Sequence, residues 1–420
     1  MTGKPVVAIV DAYSTARYFA PLFHAQGYQC VHVQSAPAIP AVYAPSFRPG
    51  DFAGHVVNAG PLADTVASLA GYRPAAVIAG IESGVELADQ LSEAMGLRTN
   101  GTALSRARRD KFAMVETVKA AGIPAAAQVL AHDEETLLAW HAAAGGGRVV
   151  VKPVKSAGND GVFFCDDEDS LRAAFTALAG TKSALDLHND AVVAQEYLLG
   201  VEYYVNTVSL DGVHYVCDVH STRHMNVNGV RDLLAGSHLL DRHGPQQDQL
   251  ASYVFGVLDA LGIRNGPSHT ELKLTEAGPR LIETASRICG ADLPVLVGKA
   301  TGESQLEWTV DAYVNPHRFA ERCKQDYVIS RQAICVNMVC PRSGTLVSYP
   351  KLKQLRSLES YHDALVRVRP GEPVSRTVND FTYPMLVHLL HPSKAVLLRD
   401  YATARYLDGD GFYEVADADE

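Results

Sequence analysis

The sequence predicts an α/β protein that begins with a βαβ unit and continues with antiparallel hairpins. The βαβ unit comprises a strand over residues 6–10, a helix opened by Ser14 or Thr15, and a second strand over residues 30–33. Apolar and polar residues alternate on both sides of the turn at Asp211 and Gly212, which indicates an antiparallel pair. A third observation, a hairpin pattern over residues 266–287, carries most of the chemistry and is described below.

Composition narrows the class of protein. The chain has 420 residues, enough for two to four structural units, and its 47% hydrophobic content indicates a folded, soluble protein. A net charge of -10 without a basic run argues against nucleic acid or an anionic membrane as the main partner. The seven cysteines have no metal-finger spacing and fit reduced thiols. Asp11 interrupts the first apolar run, so we expect no signal peptide and a cytoplasmic protein.

A second strand–helix unit presents an acidic residue at its turn. A strand over residues 75–79 leads through Glu82 into a helix that ends near Gly96. In open α/β sheets the carboxyl ends of the strands form the ligand-binding edge, so Glu82 could hold a cationic group such as a substrate ammonium. The alternative is an ordinary acid in the first turn of a helix. The first βα turn, DAYSTAR, lacks the glycine fingerprint of dinucleotide-binding proteins.

A lysine followed by a loop of small residues comes next, after a helix predicted over residues 110–121. The β-branched run at 149–151 ends at Lys152, and Ser156, Ala157 and Gly158 open the loop. Main-chain amides of such a loop can surround phosphate oxygens while the lysine supplies a compact positive charge. The pattern predicts a phosphate-covering flap, with a plain hairpin as the alternative.

Two further segments carry candidate contacts. After a strand over residues 191–194, extended backbone at 196–198 can offer a carbonyl and an amide to a purine edge, and Glu202 can accept bonds from ribose hydroxyls. Ordinary strand-end polarity is the alternative. Residues 220–243 show little periodicity, and we expect a substrate-covering loop with His220, Arg223 and His238 as contacts. Exposed polar side chains are the alternative there.

The most informative feature is a pair of carboxylates on one hairpin. A loop of residues 276–278 with a left-handed Gly278 puts Glu271 directly across from Glu283. Opposed like charges destabilise a sheet, so a divalent cation between them is expected. Alternation then places Ala285 and Arg287 on the same face. Carboxylates, a metal and an arginine suggest phosphate chemistry, with a solvated surface hairpin as the alternative.

Taken in order, these segments resemble the ATP-grasp ligases over residues 75–292. Within that superfamily the resemblance is closest to the L-amino acid ligases that make dipeptides, on IESGVELAD, RRDKFAM, VKPVKSAGNDGV, HTELKLT and ETASR. It implies an ATP-grasp fold within the α/β class. The implied parts are a Rossmann-like pre-ATP-grasp domain at 1–105, a small lid subdomain at 106–190, a large subdomain with the metal site at 191–315 and a mixed α/β cap at 316–420.

The resemblance also implies a role for each candidate residue. Phosphate binding falls to Lys111, Lys152 and the flap residues Ser156, Ala157 and Gly158. Adenine and ribose binding falls to Gln195, Glu196, Tyr197, Leu198 and Glu202. Magnesium binding falls to Glu271 and Glu283, and stabilisation of the reacting carboxylate falls to Arg287. Contacts to the amino acids fall to Glu82, with room for the substrate at the small residues Gly290 and Ala291.

The activity implied is an ATP-dependent ligation of two L-amino acids through an aminoacyl phosphate, releasing ADP and phosphate, as in antibiotic biosynthesis. ATP and two Mg²⁺ ions are the implied cofactors, with Mn²⁺ as a substitute and a homodimer as the expected assembly. Ala285 stands where many ATP-grasp enzymes have asparagine, so phosphate oxygens or water must complete the second metal's shell. The alternatives are another ATP-grasp carboxylate-amine ligase, of the D-alanine ligase or purine-pathway type, and a non-catalytic nucleotide-binding regulator.

Overall fold

The N-terminal part of the chain is a four-stranded parallel sheet. The computed structural model describes residues 4–156, 158–183, 187–409 and 411–417. The strands are β1 (Val6–Val10), β2 (Gln29–Gln34), β3 (Gly54–Val57) and β4 (Pro74–Ala79), in the order β3-β2-β1-β4. Helices α1 (Phe19–Ala25), α2 (Leu62–Ala70) and α3 (Val85–Ala94) connect or follow them. All three strand pairs are parallel, which confirms the predicted βαβ start.

A second, smaller sheet follows and is antiparallel throughout. It contains β5 (Gln128–Ala131), β6 (Val149–Pro153), β7 (Phe163–Cys165) and β8 (Val192–Glu196), in the order β5-β8-β6-β7. The accompanying helices are α4 (Lys111–Ala120), α5 (Glu134–Ala143) and α6 (Glu168–Leu178). Each begins where an aspartate side chain caps a free backbone amide, at Asp110, Asp133 and Asp167. Because β8 pairs with β5 and β6, this sheet extends past residue 190; the domain boundaries stay a prediction.

The first strands of the large sheet along the chain are β9 (Gly200–Leu210), β10 (Val213–Val227), β11 (Val230–Leu240), β12 (Gly266–Thr275) and β13 (Gly278–Ala285). Helix α7 (Pro245–Ala260) lies between β11 and β12 in the sequence. The prediction of a substrate-covering loop at residues 220–243 is therefore wrong, because most of these residues form strands. Asn228 and Gly229 are both left-handed, with φ of 58° and 79°, and form the tight turn of a hairpin. An Asn-Gly pair is a strong hairpin signal that the weak periodicity around it obscured.

The rest of the chain extends this sheet. The helices are α8 (Leu293–Thr301), α9 (Gln305–Val314), α10 (Pro316–Arg322), α11 (Leu352–Arg356) and α12 (Lys394–Leu407). The strands are β14 (Gln332–Met338), β15 (Gly344–Ser348), β16 (Tyr361–Val366), β17 (Pro373–Val374), β18 (Met385–His391) and β19 (Glu414–Ala416). The eight-stranded order is β13-β12-β9-β10-β11-β14-β18-β16, and a three-stranded sheet has the order β17-β15-β19. The mixed α/β character predicted for this region is confirmed.

Helix packing on the large sheet holds the carboxylate hairpin in place. α4 and α7 bury Val118, Val254 and Leu258 against Leu272 and Leu281 of that hairpin. Removing apolar side chains of this size from water contributes about 1.5–3 kcal/mol each. In the part of the chain that the structure describes, no helix has the length and apolar character needed to cross a membrane.

Candidate active site

One cavity collects most of the residues predicted from the sequence. It lies between the β5-β8-β6-β7 sheet and the large sheet, and it opens to solvent. Its lining includes the predicted residues Lys111, Lys152, Ser156, Gly158, Gln195, Glu196, Tyr197, Leu198, Glu202, Glu271, Glu283 and Arg287. Ala157 lies outside the described residues.

The two hairpin carboxylates face each other across the strand pair. Glu271 of β12 is the register partner of Glu283 of β13, which confirms the predicted pairing. The turn differs from the prediction, because the strands extend to Thr275 and Gly278 and leave a two-residue loop. Gly278 is left-handed as expected, with φ of 94°. A β-bulge at Ile282 supplies the extra residue that brings the carboxylates opposite each other.

Both carboxylates have positively charged or imidazole neighbours. Lys111 Nζ lies 2.7 Å from Glu283 Oε2, and His269 Nε2 lies 3.0 Å from Glu271 Oε1. Burial raises the pKa of Glu271, but the bond from His269 and the charges of Arg287 and Lys111 outweigh it and leave that pKa below its usual value. Glu271 is therefore ionised at neutral pH, as a metal ligand must be.

The donor set fits Mg²⁺ that shares its shell with phosphate. Mg²⁺ in phosphate-transfer sites is held by one or two carboxylates, with substrate oxygens and water completing the octahedron. Within the described ranges, no group of three or more His, Cys, Asp or Glu side chains is placed to hold a metal ion alone. Ala285 lines the cavity and offers no side-chain oxygen. Glu271 and Glu283 would hold the ion, with the rest of its shell supplied by nucleotide and water.

Two buried lysines face these carboxylates. Lys111 also donates from Nζ to the carbonyl of Ser156 at 3.3 Å, so it reaches the flap. Burial and the neighbouring charge of Lys111 lower the pKa of Lys152 to about 8. Two ammonium groups at one cavity wall repel each other unless an anion lies between them. The electrostatics therefore favour a phosphate group at this end of the cavity.

Another part of the cavity wall is formed by the end of β8 and the residues that follow it, and it includes apolar side chains. The amide of Tyr197 donates to the carbonyl of Arg148 at 3.3 Å, and Lys273 Nζ lies 5.0 Å from the centre of the Tyr197 ring. Val150, Phe164, Leu198 and Ile282 form the remaining apolar wall. An aromatic base would be enclosed by these side chains.

Polar residues of the segment are oriented by neighbours. Gln195 Nε2 donates to Gln128 Oε1 at 2.7 Å, and Glu196 Oε1 accepts from the amide of Ala127 at 3.0 Å. Glu202 lies 3.3 Å from His224 Nε2. Burial lowers the pKa of His224, but Glu202 outweighs it and the pKa is raised.

Glu82 is buried beside the cavity and both of its oxygens are engaged. Oε1 accepts a hydrogen bond from Arg109, and Oε2 accepts from Arg287 Nε at 2.9 Å. Burial raises the pKa of Glu82, but Arg109 and Arg287 outweigh it and lower the pKa overall. In this geometry Glu82 positions the guanidinium of Arg287. Its direct contact with a substrate ammonium stays an untested prediction.

The remaining predicted contacts lie elsewhere. His220 is buried, and its Nε2 lies 3.2 Å from Asp218 Oδ1. His238 of β11 is the register partner of Ser221 on β10 and of Ile334 on β14. The Arg223 guanidinium lies 5.6 Å from the centre of the Tyr401 ring. Gly290 and Ala291 precede α8. In the described part of the chain, these five predicted residues are not among those lining the cavity. Nothing in this geometry supports their substrate contacts, which stay predictions.

Sequence reasoning missed several residues at the cavity, namely Tyr204, His224, Asp232, His269, Lys273 and Asp380. His269 and Lys273 lie two residues from Glu271 on either side of it on the same strand, so alternation along β12 could have identified them. Asp380 comes from the last fifth of the chain, and no local pattern marks it. Only the tertiary fold brings it to the site.

Comparison with known proteins identifies the class. Residues 147–294 match the ATP-grasp domain. The chain is also 31% identical to dapdiamide A synthase of Enterobacter agglomerans over its full length, covering 99% of that protein. The chain therefore belongs to the ATP-grasp family of carboxylate-amine ligases, which confirms the resemblance drawn from the sequence. Enzymes of this family use ATP and Mg²⁺.

Other relatives and solved structures agree with this assignment. The chain is 24% identical to the L-arginine-specific L-amino acid ligase of Bacillus subtilis, over 49% of each protein. An L-amino acid ligase from Bacillus licheniformis superposes with a TM-score of 0.76 at 17% identity, covering 99% of this chain and 100% of that one. An ADP complex of N5-carboxyaminoimidazole ribonucleotide synthetase superposes at 0.68 and 17% identity, covering 96% and 98%. These two structures show the fold alone.

Proposed function

We propose that this protein joins two L-amino acids into a dipeptide, using ATP to activate the carboxylate of the first. The observation that carries the proposal is the convergence of Lys111, Lys152, Arg287 and the facing pair Glu271 and Glu283 on one cavity. Full-length similarity to dapdiamide A synthase and partial similarity to an L-amino acid ligase support amino acids as the substrates.

Charge placement accounts for the first step. A carboxylate oxygen of the first amino acid attacks the γ-phosphorus of ATP, forming an aminoacyl phosphate and ADP. Lys111 and Lys152 bind phosphate oxygens and offset their negative charge. Mg²⁺, when bound, neutralises the charge that develops on the transferred phosphoryl group. Glu271 and Glu283 are the residues that we assign to hold it.

Arg287 and the flap serve the second step. The amine of the second amino acid attacks the acyl carbon, the C–O bond to phosphate breaks, and the nitrogen loses a proton, which the released phosphate takes up. Arg287, which Glu82 holds at 2.9 Å, stabilises the oxyanion. Loss of such a donor costs about 10²- to 10³-fold in rate. The flap at Ser156 and Gly158 excludes water that would otherwise hydrolyse the acyl phosphate.

The residues that line the cavity support a placement of the nucleotide. Adenine lies at the segment Gln195, Glu196, Tyr197 and Leu198, and Glu202 accepts from the ribose hydroxyls. We also propose that the protein uses two Mg²⁺ ions, for which Mn²⁺ can substitute, and that it is a cytoplasmic homodimer. Its proposed domains are residues 1–105, 106–190, 191–315 and 316–420. Phosphate oxygens would supply the ligands of a second Mg²⁺ that Ala285 cannot offer.

The test is phosphate release with ATP and Mg²⁺ across the twenty L-amino acids, singly and in pairs, with mass spectrometry of the products. We expect release with particular pairs and a product whose mass equals the two amino acids less one water. ATP binding without release for any pair would contradict the proposal and favour a nucleotide-binding regulator. Release with an amino acid and a different amine would favour another carboxylate-amine ligase.

A further inference from the structure

A turn in the C-terminal region closes one side of the cavity. Asp380 lines the cavity, and its amide donates to the carbonyl of Gly158 in the flap at 3.0 Å. Its own carbonyl accepts from Arg367 Nη1 at 2.6 Å. The next residue, Phe381, lies edge-on to Tyr43 of the N-terminal region, with ring centres 6.3 Å apart. Contacts with three separate parts of the chain hold Asp380 in this position.

Within the described residues, the Asp380 carboxylate forms no ion pair. Its Oδ1 is out of contact with solvent and has no hydrogen-bond partner there. A buried polar atom left in this state destabilises the folded protein. Burial and the nearby Glu271 raise the pKa of Asp380 to about 6, and Arg367, His224 and Asn159 do not compensate. A positively charged ligand group would remove this cost.

The other acidic side chains at the cavity already have partners. These pairs are Glu196 with the amide of Ala127, Glu202 with His224, Asp232 with Lys273, Glu271 with His269, and Glu283 with Lys111. Glu82, the residue first expected to receive an ammonium group, is held by two arginines. Among the described acidic residues that line the cavity, Asp380 differs in having an oxygen, Oδ1, that is both buried and without a hydrogen-bond partner.

We propose that Asp380 binds the ammonium group of the second amino acid and accepts one proton from it, which leaves the free amine that attacks the acyl carbon. This inference rests on the proposed ligase function. Asp380 adjoins Gly158 of the flap and lies near Glu271, and these residues surround the phosphate end of the cavity. The acyl phosphate forms at that end, so the attacking amine must arrive there. The first amino acid presents its carboxylate at Arg287 instead.

The test compares two nucleophiles in wild type and Asp380→Asn. The first is the second amino acid of the most active pair from the screen above. The other is hydroxylamine, which is small and uncharged at neutral pH and converts the acyl phosphate to a hydroxamate without an ammonium site. We expect Asp380→Asn to raise the KM for the second amino acid about 10- to 100-fold, the loss of one charge-assisted hydrogen bond. Hydroxamate formation and ADP binding should stay at wild-type levels.

Controls separate this role from folding and from the ligase function itself. Asp64→Asn, an exposed aspartate of α2, is the matched variant and should change neither reaction. Asp380→Ser should show the same split between the two nucleophiles if Asp380→Asn folds poorly, and ADP binding reports folding for both variants. An unchanged KM would overturn the inference, as would equal loss of dipeptide and hydroxamate with ADP binding intact. A wild-type protein that forms no hydroxamate would instead contradict the proposed function.

Discussion

Replacing Lys152 by methionine should stabilise the free protein and weaken its binding of nucleotide. Lys152 is 5% exposed, and its pKa is lowered to about 8 by burial and by Lys111. An unfolded chain leaves the ammonium in water with its ordinary pKa of 10.5. Folding therefore works against the charge of this side chain at neutral pH, and methionine keeps most of its apolar length without that charge.

The size of the effect follows from the difference in pKa. At about 1.36 kcal/mol per pH unit, holding Lys152 protonated in the folded protein at pH 7 costs on the order of 3 kcal/mol. The folded protein binds fewer protons than the unfolded chain between pH 8 and 10.5, so wild-type stability from this group rises with pH across that window. The variant should lack that rise. Its affinity for ADP should fall about 10- to 100-fold, because a charge-assisted bond to phosphate is lost.

Thermal unfolding of the free protein at pH 7 and pH 10, together with calorimetric titration of ADP and Mg²⁺, measures both effects. Lys353→Met, at an exposed lysine of α11, is the control and should change neither. A Lys152→Met protein that unfolds at a lower temperature than wild type at pH 7 would refute the electrostatic reasoning. Undiminished ADP affinity would refute the phosphate contact.

Two further predictions concern groups that position others. Glu82→Gln should leave Arg109 and Arg287 without their charged partner and lower the free energy of unfolding by about 3–5 kcal/mol. It should also raise the KM for the amino acid more than the KM for ATP. An equal rise of both KM values in steady-state kinetics would contradict this. Gly158→Ala should raise the KM for ATP, because φ is +65° and a new Cβ would lie 3.0 Å from the Phe381 ring. Gly146→Ala has the same handedness in open space and should leave the KM for ATP unchanged, and equal kinetics in the two variants would argue against docking of the flap on Phe381.

Local sequence patterns predicted the part of the site that lies within one hairpin. The facing of Glu271 and Glu283 follows from alternation and a short turn, so it could be read from residues 266–287. The same reasoning predicted the wrong loop length, since a bulge at Ile282 does not change the apolar pattern. The hairpin at 228–229 was missed because exposed and buried residues mix along β10, although Asn-Gly marks the turn.

Contacts between distant segments could not be predicted in this way. Glu82 was expected to be free at a sheet edge, but Arg109 and Arg287 reach it from 27 and 205 residues away. Asp380 contacts Gly158 of the flap because the C-terminal strands of the chain belong to the large sheet. Charge and burial at such positions depend on the tertiary fold, which sequence spacing does not encode.

We propose that Glu271 and Glu283 together hold the Mg²⁺ required for phosphoryl transfer. The test measures ADP formation by Glu283→Gln as the Mg²⁺ concentration is raised to saturation. Glu276→Gln, in the exposed turn of the same hairpin, is the control variant. We expect a loss of at least about 100-fold for the first variant and a change of no more than about twofold for the second. Wild-type turnover by a folded Glu283→Gln protein at saturating Mg²⁺ would show that Glu283 is not a metal ligand.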